Sequence, residues 1–305
     1  MTTRLLFGLL HIVVFTLSLL PFWFLYGLSK LLYFILYHIF GYRKSVVRKN
    51  LRLAFPDKGE TALKKIEKEF YLHFCDLLVE TLKIYSLADA GLAERVVLAD
   101  SPIIAEVQAA GKGSFMLGSH QGNFEWMMAR LDLFLAPALP TYAVYTPFRN
   151  KAFDRLMRRL REQRGLEMLP MQKALTAALR KLQEPCLFGM IVDQSPHRGN
   201  RLYFTSFLHQ ATAFHTSFAK IAIRTKTPLY FARMHKISRG RYQLRLHKIE
   251  IEEFLPESKD NILALTDRYA ALLEEDINQE PATWLWSHRR WKHQIRKGDT
   301  VSSSL

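Results

Sequence analysis

Residues 114–126 read Ser114-Phe115-Met116-Leu117-Gly118-Ser119-His120-Gln121-Gly122-Asn123-Phe124-Glu125-Trp126. A short apolar run, Phe115 to Leu117, ends in a glycine-bearing turn that presents His120, and a helical pattern follows. Strand, turn and helix in that order are the repeating unit of an α/β fold. The same turn puts an imidazole and a carboxylate at a strand exit, the raw material of a general base with an orienting anion. If the helix starts near Asn123, Glu125 lies in its first turn, where the helix dipole favours it. From there it can fold back and hold one ring nitrogen of His120 as a donor, leaving the other as the base. Spacing alone also fits a polar loop followed by an ordinary first-turn glutamate.

The unit repeats on either side. Apolar runs at 96–98, 114–117, 142–145, 166–169, 187–192, 229–234 and 242–249 read as strands. Helical patterns at 102–110, 124–134, 152–164, 172–182 and 214–224 lie between most of them, and 259–278 is a further amphipathic helix. Residues 61–86 also read as a helix, with Leu63, Ile66, Phe70, Phe74, Leu77, Leu78 and Leu82 at three- and four-residue steps. The expectation is an α/β fold with a mostly parallel sheet flanked by helices. Ligands in such sheets sit beyond the carboxyl ends of the strands. His120 follows one strand end, Asp193 and Gln194 a second, and Tyr145 with the loop to Arg149 and Asn150 a third. Three polar clusters at strand ends predict one site. By position alone, Asp193 is expected to orient backbone amides or pair with an arginine.

The N-terminus sets the surroundings. Residues 5–29 contain no Asp, Glu, Lys or Arg, longer than the roughly 20 residues that span a bilayer. No small-residue cleavage site follows, so an uncleaved anchor is expected over residues 1–42, kinked at Pro21, with 31–42 crossing, re-entering or lying in the interface. Arg43, Lys44, Arg48, Lys49 and Arg52 follow it with no acid among residues 43–52, and only Arg4 precedes it. The positive-inside rule then puts residues 43–299 in the cytoplasm. The serine-rich tail 300–305 is expected to fray.

Across 305 residues the net charge is +15, and 49% of residues are hydrophobic. That balance allows a large core and calls for an anionic partner, a lipid surface, an acidic protein or nucleic acid. Cys75 and Cys186 lie far apart with no metal-ligand spacing, and no disulfide framework is expected. The histidines at 197, 209, 215, 235 and 247 show no ligand spacing either, so no metal is expected. Basic residues concentrate at 151–164 and at 284–297, the latter interleaved with Trp284, Trp286 and Trp291. These stretches suit a solvated face against anionic lipid, or binding of acceptor phosphates and an acidic carrier protein.

Five blocks in order carry a resemblance. Arg48-Lys49-Asn50-Leu51-Arg52-Leu53-Ala54-Phe55-Pro56 looks like the entry segment of the bacterial lipid A late acyltransferases, within the glycerolipid acyltransferase superfamily. Residues 119–125 look like their catalytic box. Arg161-Glu162-Gln163-Arg164-Gly165 and Asp193-Gln194 are similar to later blocks, and residues 284–292 resemble their C-terminal signature. The resemblance runs from the anchor to about Lys292. It implies an enzyme of the bacterial inner membrane that moves an acyl chain from an acyl-carrier-protein thioester to a hydroxyl of a lipid A precursor, an anionic glycolipid. His120 is then the base and Glu125 steadies the imidazolium. Arg164 is the expected oxyanion cation unless backbone amides of the turn serve. Arg149, Asn150, Arg161, Asp193 and Gln194 are the expected substrate-side residues. No cofactor or metal is required. One departure stands out: residues 210–217 read Gln-Ala-Thr-Ala-Phe-His-Thr-Ser, without the glycine many relatives carry, in a region expected to touch the acyl chain or acceptor.

Rival readings are an acyltransferase for a lysophospholipid, an aminolipid or a glycosylated inositol lipid, and a basic membrane-tethered binding module. Nucleic acid is disfavoured as a partner, because paired Cys/His and aromatic RNA-binding runs are lacking.

Overall fold

The computed structural model describes residues 2–99, 102–135, 139–198, 201–303 and 305. The chain begins with two apolar helices, α1 (Thr2–Leu19) and α2 (Phe22–Tyr33), the second running on as a π-helical segment (Phe34–Ile39). Then come α3 (Lys44–Ala54), α4 (Glu60–Lys83) and α5 (Asp89–Arg95). Strands and helices alternate next: β1 (Val96–Leu98), α6 (Ile103–Ala110), β2 (Ser114–Gly118), α7 (Phe124–Leu135), β3 (Thr141–Tyr145), α8 (Lys151–Glu162), β4 (Glu167–Pro170), α9 (Ala174–Lys181) and β5 (Leu187–Ile191). A hairpin of β6 (Tyr203–Phe207) and β7 (Gln210–Phe214) leads into α10 (Ser217–Thr225). The long pair β8 (Leu229–Ser238) and β9 (Arg241–Ile249), then α11 (Lys259–Gln279) and the short β10 (Thr300–Val301), complete the order.

Seven strands form one sheet in the order β1-β9-β8-β2-β5-β3-β4. Every neighbouring pair is parallel except β8 with β9. β2 lies at the centre and is buried along its whole length. Strand residues alternate between faces. Phe115 and Leu117 therefore join a core with Phe218, Leu265 and Tyr269 of α10 and α11. Met116 faces the other way, into a core with Trp126 and Met127 of α7.

The seven strands expected from sequence are all present, and the sheet is mostly parallel as expected. The β6–β7 hairpin was not expected. Its two-residue turn is Leu208-His209, both at positive φ (49° and 61°). Such turns are ordinarily flagged by Asn-Gly or Gly, so the local chemistry gives no sign of it. The helix expected from residue 214 starts only at Ser217, because Phe214 pairs with Tyr203 in the hairpin. The tail also departs from expectation: Thr300 and Val301 pair in parallel with Tyr203 and Phe204. Asp299 holds the approach by accepting from the Leu202 N–H and from Arg198. Ser304 of that tail, and Met1 of the anchor, lie outside the described residues.

The apolar N-terminal stretch is broken, not continuous. Pro21 lacks an N–H and its ring crowds the preceding turn, so α1 ends at Leu19 and α2 starts afresh at Phe22. The helical stretch Phe22–Ile39 is long and apolar enough to cross a membrane. Leu5, Leu9, Ile12, Trp23 and Phe40 each leave at least 60% of their surface exposed, an apolar expanse that a soluble surface rarely carries. The opposite side of α1 and α2 is fastened to the rest of the chain. Ser29 donates to Asp76, Tyr26 donates to Glu80, and Lys83 caps the α1 end by donating to Ser18 O and Leu20 O.

Candidate active site

Strand register builds the site. β2 and β5 pair in parallel with Gly118 opposite Ile191. Two residues beyond that pair on each strand come His120 and Asp193. Adjacent strands lie about 4.8 Å apart, so the two side chains emerge as neighbours. His120 Nδ1 lies 2.6 Å from Asp193 Oδ1, and the His120 backbone N–H donates to Asp193 Oδ2 at 3.0 Å. Trp284 Nε1–H donates to the same Oδ2 at 2.8 Å. Asp193 is only 1% exposed. Burial alone would raise its pKa, but the imidazole of His120 and these hydrogen bonds outweigh it and hold the carboxyl at about 2.

An anion at Nδ1 fixes the tautomer that carries its proton there and leaves Nε2 as an acceptor. Nε2 faces the Gln194 side-chain amide at 3.4 Å. The Phe124 ring stands edge-on to the imidazole, 4.8 Å between centroids. Both His120 and Gln194 line an open cleft of about 350 Å³, with Tyr145, Thr146 and Phe148 from the β3 end and His215 and Ser217 from the end of the hairpin. The three expected strand ends thus converge on one cavity, and the 210–217 stretch reaches it.

Glu125 departs from its expected role. It lies in the first turn of α7 as expected, but its carboxylate turns to Arg161 of α8. Arg161 Nε donates to Oε2 at 3.0 Å and Nη2 to Oε1 at 2.6 Å. This fork-to-fork geometry is the strongest form of such a pair, and it is nearly buried, at 14% and 5% side-chain exposure. The hydrogen bonds of His120 go to Asp193 and Gln194, so the anion on the imidazole comes from the neighbouring strand and not from the same turn.

The expected basic residues sort differently too. Arg161 lines the cleft. Arg164 lies outside its lining: its guanidinium binds Asp89 Oδ1 at 2.8 Å and Leu87 O at 2.6 Å. Arg161 lies in the last turn of α8 and Arg164 past its end at Glu162, so the two side chains reach different neighbours. Asn150 caps α8, accepting from the N–H groups of Ala152 and Phe153, and Arg149 is exposed outside the cleft lining. Arg161→Ala strands a buried carboxylate, a change that costs about 3–5 kcal/mol where both partners are buried, and removes the cation from the cleft. We expect a lowered melting temperature together with a steep fall in kcat. Arg164→Ala should change stability, with kcat kept within a few fold. Equal losses of kcat in the two variants would return Arg164 to the site.

The turn itself is held from below. Gly122 takes φ +59°, and a Cβ there would meet Met234 O at 2.3 Å. Its N–H donates to Thr283 O, and its carbonyl lies 3.1 Å from His73 Nε2. Burial, then the Lys236 charge, push His73 down to about 4; it is neutral near pH 7 and donates from Nε2. Asn123 accepts from the Trp126 N–H, capping α7, and donates to Glu80. Glu80 is fully buried and also receives the hydroxyls of Tyr26 and Tyr242. Burial pushes its carboxyl up to about 7, against the pull of those donors. From the sequence, Gly122 and Asn123 were expected only as part of the box, His73 as a non-functional helical residue, and Glu80 was passed over. A signal existed, since His73, Asp76 and Glu80 recur at i, i+3 and i+7 on the α4 face that also carries Phe70.

Trp284, Trp286 and Arg290 do not lie at a lipid interface. They are buried beneath the site, and Gln121 forms a β-bridge with Trp284. The Arg290 guanidinium lies over the Phe214 ring at 4.4 Å and donates to Ala213 O; burial lowers its pKa to about 10. Both cysteines are free and buried, and burial pushes the Cys75 thiol up to about 12. Among the described residues no group of three or more His, Cys, Asp and Glu side chains gathers as a metal site would.

Behind the cleft lies a small apolar cavity of about 50 Å³ between the sheet and α7. It shares Met128, Val144, Met190 and Ile191 with the cleft. Gly118 and Gly189 lie in its wall and keep the strand surface bare there. The geometry amounts to a carboxylate-held imidazole at the mouth of an apolar recess. Compared with known proteins, residues 1–293 match the profile of the family described as bacterial lipid A biosynthesis acyltransferase. No curated protein matches the chain.

Proposed function

Because this chain belongs to the bacterial lipid A biosynthesis acyltransferases, an enzyme family that transfers acyl groups, we propose that His120 is the general base that activates a hydroxyl of a lipid A precursor toward an acyl-carrier-protein thioester. The observation that carries this reading is the 2.6 Å contact of His120 Nδ1 with the buried Asp193, with Nε2 left facing the cleft. Nε2 takes the hydroxyl proton as the oxygen attacks the thioester carbonyl carbon. Asp193 stabilises the imidazolium that forms. The tetrahedral oxyanion lies against Arg161, whose pairing with Glu125 fixes its fork in the cleft wall. The turn amides of His120 and Gly122 are already engaged by Asp193 and Thr283, which favours the cation over a backbone oxyanion hole. Collapse breaks the C–S bond, and the imidazolium returns its proton to the departing thiolate. The new C–O ester bond stays with the lipid, and no acyl-enzyme is formed.

The acyl chain follows the apolar recess between β2, β5, β3 and α7. Methionines in its wall adapt to a flexible chain. The exposed face of α1 and α2 holds the enzyme on the inner membrane, and the basic residues of α3 keep the catalytic domain on the cytoplasmic side.

The test is an in vitro assay with defined acyl-carrier-protein donors of graded length and a purified lipid A precursor. Wild-type enzyme should give one secondary ester. No product on this acceptor, with transfer to a lysophospholipid instead, would reassign the substrate. Gly189→Val fills the recess, so the donor profile should shift to shorter chains. An unchanged profile would send the chain elsewhere.

A further inference from the structure

A further cavity, of about 460 Å³, opens between α3 and the C-terminal segment. Its walls include Ser45, Lys49 and Asn50 on one side and Arg289, Trp291 and Lys292 on the other, and among the described residues no carboxylate lines it. The neighbouring cations are already engaged. Arg48 pairs with Glu67 and Arg52 with Glu60, while Arg43 and Lys44 donate to the carbonyls of Ser287 and Tyr37. Among the described residues, the side chains of Lys49, Arg289 and Lys292 have neither an ion pair nor a hydrogen bond, and all three are exposed. The charge left over on this side of the molecule is therefore gathered in the groove.

The walls are fixed before any ligand arrives. The buried Asn50 donates to both Trp286 O and His288 O at 2.8 Å, tying α3 to the opposite wall. Trp291 Nε1 donates to Thr212 Oγ1 at 2.7 Å. α3 starts at Lys44 with no side-chain cap and no acid in its first turn, so its dipole adds to the positive potential at Ser45.

Position supplies the rest. Ser45 comes six residues after Ile39, where the apolar helical stretch ends, and Phe34, Ile39 and Phe40 leave 53%, 62% and 74% of their surfaces exposed. With that stretch in a bilayer, the groove opens at headgroup depth. It also adjoins the catalytic cleft. His288, whose carbonyl Asn50 holds, accepts the Ser195 N–H at Nε2, and Ser195 lines the cleft beside Gln194.

We propose that this groove binds a phosphate on the headgroup of the acceptor lipid and holds that lipid while its hydroxyl reaches His120. The inference rests on the acceptor being the lipid assigned above. The Arg289 fork can take two phosphate oxygens, and Lys49 and Lys292 act as flanking point charges.

The test uses full-length enzyme in neutral detergent micelles. Lys49→Gln, Arg289→Gln and Lys292→Gln are made singly and together. The acceptor is presented intact and after phosphatase treatment. The triple variant should raise KM for the intact acceptor about 10–100-fold and erase the wild-type preference for it, with KM for the acyl carrier unchanged. Calorimetric titration with the intact acceptor reads binding without turnover and should weaken by the same factor. That readout stands even if wild-type enzyme transfers nothing to this acceptor, a result that would refute the proposed reaction alone. Unaltered acceptor binding in the triple variant overturns the groove. So does a rise in KM confined to the acyl carrier, which would make it a protein-docking surface. Equal weakening for both acceptors together with lost binding to phosphatidylglycerol vesicles also overturns it, since the phosphate would then be that of the surrounding lipid.

Discussion

His120→Ala is expected to lower kcat by about 10²–10⁴-fold, the range that a positioned general base supplies, while the protein still folds and sediments with membranes. On the proposed mechanism the effect falls on kcat, because the imidazole would act only as the hydroxyl proton is lost and would contribute little to holding either substrate. The fold should tolerate the change. His120 is at the exposed end of a strand, with 20% of its side chain accessible, and the turn around it is held by Gly122, Asn123 and Gln121 through their own contacts. Asp193 keeps the Trp284 indole and the residue-120 backbone N–H as donors in the variant. The measurement is single-turnover transfer from an acyl-carrier donor, alongside circular dichroism. Undiminished transfer would remove His120 from the mechanism.

Asp193→Asn should be nearly as damaging, on the order of 10³–10⁴-fold in kcat, through the tautomer. Three N–H groups converge on the two carboxylate oxygens: His120 Nδ1–H on one, and the His120 backbone and Trp284 indole on the other. An amide offers one oxygen and one NH₂. With the NH₂ toward Nδ1, the imidazole must carry its proton on Nε2 and cannot act as a base. With the NH₂ the other way, it opposes two donors in a buried site. Glu125→Gln leaves this arrangement untouched and loses only the ion pair with Arg161, so its loss of kcat should be smaller than that of Asp193→Asn. The reverse ranking would restore Glu125 as the anion that acts on His120. The same contacts set an acid limit. The Asp193 carboxyl is held at about 2 against an ordinary 3.8, so its contribution to stability is complete above the ordinary value and is lost as pH falls through about 2. Wild-type protein should lose melting temperature over that window more steeply than Asp193→Asn.

Much of this was legible along the chain. Phe115 to Leu117 and the run from Leu187 read as strands because parallel, doubly buried strands are apolar throughout. His120, Asp193 and Tyr145 could be grouped as one site because each follows such a run. The hairpin at Tyr203–Phe214 was hidden because Leu208 and His209 occupy positive-φ positions that ordinarily advertise themselves with glycine or asparagine. The C-terminal tryptophans were left between a headgroup interface and the core, because an indole suits both equally well.

The sequence by itself determined the strand–turn–helix order, the apolar N-terminal stretch, the imidazole at a strand exit and a carboxylate five residues on. Those are local properties, written in periodicity, turn chemistry and composition. Which carboxylate holds the imidazole was decided only in three dimensions. Placing Gly118 opposite Ile191 brings Asp193 to His120 across 73 positions of chain, and the packing of α8 on α7 draws Glu125 away to Arg161. Register and helix packing are set by the whole core, because a slip of one residue would turn every side chain of β2 or β5 to the wrong face.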